Sequence, residues 1–440
     1  MAVLTFKGGV YPESGKENTK DKPIEDYTPK GELVYPVLQH YGSECKPCVE
    51  VGQYVKAGEL VAQATEFYSS NVFSSVSGTV TKIEPRMTAL GREILSVVVE
   101  SDGENKLVPP WRTKPLEELK PEEIRFIIQW AGIVGLGGRT IPTHTKLDPM
   151  HPEKIEYVIV NGAECEPYKT SDYREMIEEP SQIINGLKIV LSLFPNAKGI
   201  IAIEDDKPEA VIKIKEEIKK EADIKVSMVY TKYPQGSQRQ LIYATTKRSI
   251  NSFMVPSSVG CIVLNVSTVY NINQAVLYGY PLMHRVITVS GDDIKEPKNL
   301  RVPMGTNMKE LVDFCGGFID EPQKIIIGGA MTGNEVTDLN IPVTKDPSDI
   351  IAFKKNVDKA YYSTNCIKCG RCIIACPSRL MPSRLYKYAL KGNMENFKKY
   401  DGEECIECGS CTYICPAKIN LHEKIIKMRR EALSNRIYWG

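Results

Sequence analysis

Two copies of one cysteine motif constrain this chain more than any other feature. Each copy reads C-x2-C-x2-C-x3-C-P; the first spans residues 366–377 and the second residues 405–416. Three cysteines in such a tight loop can converge on one cube of iron and sulfide, while the fourth, followed by proline, points at a neighbouring cube. The repeated motif therefore predicts two adjacent 4Fe–4S clusters, which carry single electrons.

The fourth cysteine of each motif is expected to ligate the cluster of the other motif, as in bacterial two-cluster ferredoxins. The expected metal ligands of one cluster are Cys366, Cys369, Cys372 and Cys415, and those of the other are Cys405, Cys408, Cys411 and Cys376. Two other interpretations fit less well. Disulfides need an oxidising compartment, and zinc sites built from C-x2-C pairs have no use for a third cysteine at this spacing.

Length and charge narrow the remaining possibilities. The chain of 440 residues is long enough for about three domains. Its 56 basic and 55 acidic residues give no sign of nucleic-acid binding. Eight of the 13 cysteines belong to the motifs, which fits a reducing cytoplasm. The sequence contains neither a signal peptide nor an apolar run of about 18 residues, so work at a membrane would require partner subunits.

The N-terminal part of the chain is predicted to be an irregular surface arm, residues 1–30, followed by a β module, residues 31–110. Short β-type runs between glycine turns make that module resemble the barrel-sandwich of biotinyl and lipoyl carriers. The tip that would carry a modified lysine, residues 66–71, contains no lysine, so an unmodified module is expected. Cys45 and Cys48 form either a redox or metal-binding pair or, as we favour, two unliganded loop thiols.

An α/β domain is predicted for residues 115–285. A helix from Pro121 to Ala131 runs into a glycine-rich loop at residues 132–147, and a short buried strand at residues 156–160 ends in polar residues. Glycines let a backbone approach phosphate closely, although such a loop can also be only a turn. Strands and helices then alternate, which indicates a parallel sheet whose carboxyl edge binds ligands.

Three segments of this domain resemble the flavin- and NADH-binding subunit of respiratory complex I. They are residues 135–147, 161–167 and 265–268, which are similar to that family's G-R-G-G-A-G-F-P-T-G-x-K-W, N-A-D-E-G-E-P and N-V-E-T. The resemblance implies a Rossmann-like domain that binds FMN non-covalently, with NAD(H) as substrate. It implies cofactor-binding roles for Gly135, Gly137, Gly138, Lys146, Asn161, Glu164, Asn265 and Thr268. It also places Glu166 at the nucleotide and makes Glu166 and Lys146 the candidate catalytic residues.

Three further segments complete the predicted organisation, which is multidomain α/β and α+β. Residues 286–345 resemble the small β-grasp (SLBB) module that follows the flavin domain in the same family, and residues 346–421 form the two-cluster ferredoxin-like domain. Residues 422–440 read as a basic helix. Its apolar positions Ile425, Met428 and Leu433 form either a seam against the protein or, alternatively, part of a surface that docks at lipid headgroups or a membrane subunit.

The order of modules resembles the C subunits of Rnf electron-transport complexes over nearly the whole chain. That resemblance implies a peripheral subunit of an ion-translocating NAD:ferredoxin oxidoreductase, on the cytoplasmic face of the membrane. Its partners would be the other Rnf subunits and NADH, with ferredoxin an indirect partner. Two alternatives stay open: a non-enzymatic iron–sulfur wiring subunit with a degenerate flavin site, and a soluble flavin and iron–sulfur cobalamin reductase.

Overall fold

The computed structural model describes residues 3–111, 114–354 and 362–434. Within these ranges the chain forms four sheets and several helical layers, joined by an N-terminal arm. No helix in the described ranges has both the length and the apolar character needed to cross a membrane.

Most of the described arm has no helix or strand, as predicted for residues 1–30, but it contains one short strand and several buried residues that the sequence did not predict. Its residues Ile24–Asp26 form strand β1, a parallel edge strand on the sheet of the β-grasp module. Thr19 is fully buried, and the Lys16 ammonium lies in the interior and donates to the Glu164 carbonyl oxygen. Proline and charge in this segment predicted a loop, but a parallel edge strand of three residues leaves no period-two pattern to detect.

The second module is a β barrel-sandwich of two antiparallel sheets. Its strands are β2 (Glu32–Pro36), β3 (Lys46–Pro47), β4 (Tyr54–Val55), β5 (Leu60–Gln63), β6 (Val72–Phe73), β7 (Gly78–Met87) and β8 (Glu93–Ser101). The sheets have the orders β2-β8-β7-β4 and β3-β5-β6. Alternate residues such as Leu33, Tyr35, Val97 and Val99 are fully buried between them, as expected of strands with one inward face.

The third unit is the α/β domain. Its elements are α1 (Pro121–Trp130), α2 (Thr143–Lys146), β9 (Tyr157–Gly162), α3 (Ser171–Glu178), α4 (Pro180–Leu191), β10 (Lys198–Glu204), α5 (Pro208–Glu217), β11 (Ile224–Val229), α6 (Gln238–Thr246), β12 (Cys261–Asn265) and α7 (Val266–Tyr278). The parallel sheet has the order β11-β10-β9-β12. The chain thus leaves β9 towards β10 and later returns to its other side, so β9 and β12 flank a topological switch point.

A six-stranded mixed sheet forms the core of the β-grasp module. Its elements in this part of the chain are β13 (His284–Gly291), β14 (Lys298–Pro303), α8 (Met308–Phe314), β15 (Lys324–Ile327), β16 (Asn334–Val336) and β17 (Asp349–Phe353). The sheet order is β1-β14-β13-β17-β15-β16. Strand β17 therefore belongs to this sheet, although its residues were assigned from sequence to the cluster domain.

The last unit is helical and contains both cysteine motifs. Its helices are α9 (Arg371–Ala375), α10 (Pro382–Leu390), α11 (Met394–Lys399), α12 (Ser410–Tyr413) and α13 (Leu421–Leu433). Ile425, Met428 and Leu433 of α13 are buried, as the seam interpretation requires. The rest of the basic helix predicted at residues 422–440 lies outside the described residues from 435 onwards, and its docking at a membrane stays a prediction.

Gly186 sets the spacing between helices α4 and α7 behind the parallel sheet. A Cβ atom at this position would lie 2.0 Å from the Val269 carbonyl oxygen. We expect Gly186→Ala to lower the free energy of unfolding by about 1–3 kcal/mol, because the helices must separate, although alanine is the better helix former. The exposed Lys188→Ala on the same helix is the control, with an expected change within about 0.5 kcal/mol. Calorimetric unfolding of both variants tests this, and equal stabilities would contradict it.

Candidate functional site

A cavity with two lobes opens at the carboxyl ends of β9 and β12, at the switch point of the parallel sheet. The lobes have volumes of about 250 and 470 Å³, and the larger lobe alone lies within the size range of ligand sites. Residues that line both lobes are Gly137, Arg139, Asn161, Gly236, Ser237, Asn265 and Ile406. The larger lobe is also bordered by the β-grasp module through Gly328 and Thr332 and by the cluster domain through Cys408.

The glycine-rich loop forms one wall of this cavity. A Cβ on Gly135 would lie 2.8 Å from the Arg139 carbonyl oxygen, and one on Gly137 would lie 3.1 Å from the Asn265 Cβ. Gly138 has a φ of +105° and open space where a side chain would project. Glycine is therefore required at these positions for close approach and for backbone conformation, which leaves room for a ligand.

Thr268 lies behind the loop. Its side chain is fully buried, and its hydroxyl accepts a hydrogen bond from the Leu136 N–H at 2.9 Å and donates to the Val134 carbonyl oxygen at 3.3 Å. The residue thus fixes the path of the loop backbone. The sequence placed it at the ligand because its motif is part of the resemblance, but its direct contacts are with the loop.

Basic side chains gather around the smaller lobe. They are Arg139, Lys146, Arg239 and Arg429. Burial, together with the charge of Arg139, lowers the pKa of Lys146 to about 8. Arg239 and Arg429 are held by Glu404 and Glu407, at 2.9 and 2.6 Å. The lobe therefore offers a cationic environment of the kind that binds phosphate.

Asn161 and Asn265 stand directly opposite each other in the β9–β12 register. The Asn161 amide donates to the Gly236 carbonyl oxygen at 2.8 Å, and the Asn265 amide donates to Asp172 at 2.9 Å. The Asn265 oxygen also caps α7 by accepting from the Ser267 N–H. Both amides border the cavity while they anchor the loops around it.

Glu164 and Glu166 both line the larger lobe, but in different environments. Glu164 is buried and accepts from the Asp172 N–H at 2.9 Å; burial raises its carboxyl pKa. Glu166 accepts from the Met331 N–H at 2.9 Å and from the Thr332 hydroxyl at 2.7 Å. Burial raises the pKa of Glu166 to about 7.

Several residues of the site lie outside the segments that resemble the complex I subunit. They are Lys169, Asp172, Ser237, Arg239, Asp346 and Asp349. The loop between β11 and α6 supplies Ser237, and the first turn of α6 supplies Arg239. The switch point between β9 and β12 was the signal that could have located both residues at the cavity. The side chains from the β-grasp module had no such signal, because its docking is a tertiary event.

The second cysteine motif and Cys376 of the first are brought together. Cys376, Cys405, Cys408 and Cys411 line one small cavity that α10, α12 and α13 also border. Burial raises the thiol pKa of Cys376 to about 11 and that of Cys405 to about 12. Across the described ranges, no three His, Cys, Asp or Glu side chains are close enough to hold a single metal ion. The four thiols border a space, and four thiolates around a space are a donor set that suits a cluster.

The remaining cysteines are arranged differently. Cys366 and Cys369 are exposed, Cys372 is half-buried, and Cys415 is buried in the core of the cluster domain. Cys372 packs on the same core as Cys415. Outside the motifs, the buried Cys45 thiol donates to the Ser70 carbonyl oxygen at 3.1 Å, and the exposed Cys48 thiol donates to the Leu60 carbonyl oxygen at 3.3 Å.

The two-lobed cavity fits FMN in its chemistry. Cations at the smaller lobe suit the phosphate, close glycine backbone suits the approach of a planar group, and Asn161 and Asn265 present amides at the strand ends. The cavity also touches the loop of Cys408, so a flavin there would lie beside the second motif.

Relatives from three bacteria extend over most of the chain. The C subunit of the proton-translocating ferredoxin:NAD⁺ oxidoreductase complex of Clostridium ljungdahlii is 41% identical over 87% of this chain and 84% of its own length. The C subunit of the Na⁺-translocating complex of Acetobacterium woodii is 39% identical over 88% and 87%. The C subunit of an ion-translocating oxidoreductase complex of Rhodobacter capsulatus is 34% identical over 91% of this chain and 78% of its own length. The chain belongs to the RnfC family.

Family models confirm the predicted modules. An RnfC barrel-sandwich hybrid domain matches residues 4–104, a Nuo51 FMN-binding domain residues 128–274, an SLBB domain residues 286–335 and a 4Fe–4S dicluster domain residues 359–430. The prediction of FMN and two 4Fe–4S clusters as cofactors is thereby confirmed. The individual ligand and site residues stay predictions.

Solved structures of an NAD⁺-reducing [NiFe]-hydrogenase share the fold. In the H2-reduced state the TM-score is 0.50 at 16% identity, over 73% of this chain and 62% of that chain. In the air-oxidised state the TM-score is also 0.50, over 76% of this chain and 68% of that chain.

Crossed ligation makes a specific prediction for Cys376. Cys376→Ala should remove the same cluster as Cys408→Ala, because both thiols border one cavity, and should leave the cluster that Cys369→Ala removes. Electron paramagnetic resonance of the three reduced variants tests this, with bound iron falling by about half in each. Cys315→Ala, a buried cysteine outside the motifs, is the control. A spectrum of Cys376→Ala that matches Cys369→Ala would refute the crossed arrangement.

Lys146 should make FMN binding depend on pH. Its lowered pKa of about 8 means that the ammonium loses its proton as the pH rises through 8, so affinity should fall between pH 7 and pH 9. Over that range the FMN phosphate keeps its charge, since its second pKa is about 6. Lys146→Met should bind FMN roughly 10- to 100-fold more weakly at pH 7 and lose the pH dependence. Fluorescence titration with FMN at a series of pH values measures the affinity and its pH dependence.

The exposed Lys154→Met serves as control for that titration and should bind FMN with unchanged affinity. Equal affinity and pH dependence in Lys146→Met and in the unaltered protein would show that this lysine does not hold the phosphate.

Proposed function

We propose that this chain is the NADH-reactive peripheral subunit of an ion-translocating ferredoxin:NAD⁺ oxidoreductase complex, bound at the cytoplasmic face of the membrane. Membership of the RnfC family supports the activity, since the relatives carry that name. The single observation that carries the proposal is the shared cavity: one space is bordered by the flavin-domain glycine loop, the β-grasp module and the Cys408 loop.

The residues around this cavity divide into two groups by their chemistry. Lys146 and Arg139 would hold the FMN phosphate at the smaller lobe, and the glycine loop would let its backbone meet the cofactor. Glu166 faces the larger lobe, where the NADH nucleotide would lie. FMN, when bound, supplies the exchange between a hydride and single electrons. The chain's own residues position the two ligands and place the electron exit beside them.

The two clusters would then act in a fixed order. The cluster on Cys376, Cys405, Cys408 and Cys411 would stand nearest the flavin, because Cys408 and Ile406 border the cavity. The other cluster would stand nearest a partner subunit, since Cys366 and Cys369 are exposed. Apolar side chains around it are also exposed, with Ile367 at 65% and Ile374 at 78%. An apolar surface around an electron exit suits contact with another protein.

An anaerobic preparation with both clusters tests the activity and separates it from the alternatives. We expect about one bound FMN and reduction of a viologen dye by NADH. Clusters without flavin and without NADH oxidation would instead favour a wiring subunit. Isolation without membrane partners, combined with reduction of cobalamin, would favour the soluble reductase.

The order of the clusters is tested by the same assay on two variants. In Cys408→Ser, NADH should no longer reduce the first-motif cluster, because the cluster next to the cavity is lost. In Cys369→Ser, NADH should still reduce the second-motif cluster, while transfer to partner subunits should fail. Electron paramagnetic resonance of rapidly frozen samples measures the reduction of the remaining cluster in each variant. The opposite result would reverse the proposed order of the clusters.

A further inference from the structure

Three buried side chains connect the flavin cavity to a second cavity. The Ser267 hydroxyl lies between two carboxylates: it donates to Glu175, and its oxygen is 3.5 Å from an oxygen of Asp172. Asp172, Ser267 and Glu175 are 5%, 6% and 3% exposed. Asp172 lines the larger lobe of the flavin cavity, whereas Ser267 and Glu175 line the second cavity. The three side chains therefore form a continuous row of polar groups between two spaces, with a hydrogen bond from Ser267 to Glu175 and a contact between Asp172 and Ser267 that becomes a hydrogen bond when Asp172 carries a proton.

The second cavity lies where the α/β domain meets the β-grasp module, and it reaches the protein surface. Its volume is about 230 Å³, and one of its walls, Leu107, is 52% exposed. Its polar lining residues other than Ser267 and Glu175 are Tyr270, Asn271, Gln274, Tyr280, His284, Arg285 and Arg301. Such a lining can hold water, which accepts and releases protons.

The environment of Glu175 favours a carboxyl group that exchanges its proton near neutral pH. Burial and the nearby Asp172 carboxylate raise its pKa to about 8, while the Ser267 hydroxyl and the cations Arg285 and Arg301 oppose that rise. Two other titratable groups at this position are the Tyr270 hydroxyl, whose pKa burial raises to about 12, and His284, whose pKa burial and the charge of Arg301 lower to about 4. Neither of these groups changes charge around pH 8, so titration there belongs to Glu175.

We propose that Asp172, Ser267 and Glu175 carry protons between the flavin cavity and the second cavity. The inference rests on the proposed function. A hydride arrives at the flavin cavity as two electrons and one proton, and the electrons leave singly towards the clusters. One proton per NADH must therefore leave the cavity for solvent, and in the reverse reaction one must enter.

The chain of groups suits this task. A proton reaching Asp172 passes to the Ser267 oxygen while Ser267 gives its own proton to Glu175 in those molecules whose Glu175 carboxyl is ionised, so no group along the row accumulates charge. Glu175 then releases the proton to water in the second cavity. A nucleotide in the larger lobe does not block this route, because the second cavity opens elsewhere on the surface.

Infrared spectroscopy of the cofactor-loaded protein tests the titration independently of activity. The unaltered protein should show a protonated-carboxyl component that disappears with a midpoint near pH 8, and Glu175→Gln should lack this component while it keeps the one from Glu166, which titrates near pH 7. In Ser267→Ala the Glu175 component should still titrate, because the second cavity stays open to water. Absence of the Glu175 component from the unaltered protein would overturn the proposal.

Turnover with NADH and a viologen tests the transfer. We expect Glu175→Gln and Ser267→Ala to slow turnover at least about tenfold and to change the solvent isotope effect. Single-turnover reduction of the flavin by NADH should stay within about twofold, since hydride arrival needs no proton exit. Ser267→Thr keeps the hydroxyl and should restore turnover. The exposed Glu209→Gln is the control.

The outcomes distinguish failure of the proposed function from failure of the proton route. Failure of the unaltered protein to bind FMN or to react with NADH would overturn the proposed function, while the infrared titration would still report on Glu175. Normal turnover and isotope effect in Glu175→Gln would overturn the proton route alone. Loss of flavin from Glu175→Gln and Ser267→Ala together would mean that these residues are structural, which also overturns it.

Discussion

Parallel pairing of β9 with β12 is the constraint from which the functional site follows. The register sets Asn161 opposite Asn265 at the carboxyl ends of the two strands. Each strand must then turn away from the other, since the chain runs to opposite sides of the sheet, and a crevice opens between them. The glycine loop, the α6 loop and the cluster domain all border that crevice. A shift of register by one residue would move both amides and close the site.

Buried cations hold the modules around this crevice. The fully buried Lys345 ammonium donates to Ser70, Asn71 and Gly132, which belong to the barrel-sandwich and the α/β domain. Arg285 donates to the carbonyl oxygens of Lys345 and Leu136. Each donor spans two modules and satisfies carbonyl groups that burial would otherwise leave unpaired. The modules therefore share polar contacts that none of them satisfies alone.

The sequence predicted what local chemistry determines and missed what docking determines. The cysteine spacing predicted both clusters, and the alternation of strands and helices predicted the parallel sheet. Both patterns depend on residues that are close in the chain. Asp349 and Cys408 border the cavity because separate modules pack together, which no periodicity encodes. For Thr268 the sequence predicted the location of the residue but not the contact that it makes. Its motif located it near the loop, but the motif did not reveal that the hydroxyl accepts from the Leu136 N–H and supports the loop backbone.

The N-terminal arm has a consequence for biogenesis. The Gly9 N–H donates to the Ala375 carbonyl oxygen at 2.8 Å, and a Cβ on Gly8 would lie 2.8 Å from the Cys376 carbonyl oxygen. The arm is synthesised before all the modules that it joins, yet it can settle only after the last of them has emerged from the ribosome. Because it then lies against the Cys376 loop, iron and sulfide delivered during maturation would reach this thiol most freely before the arm closes over it.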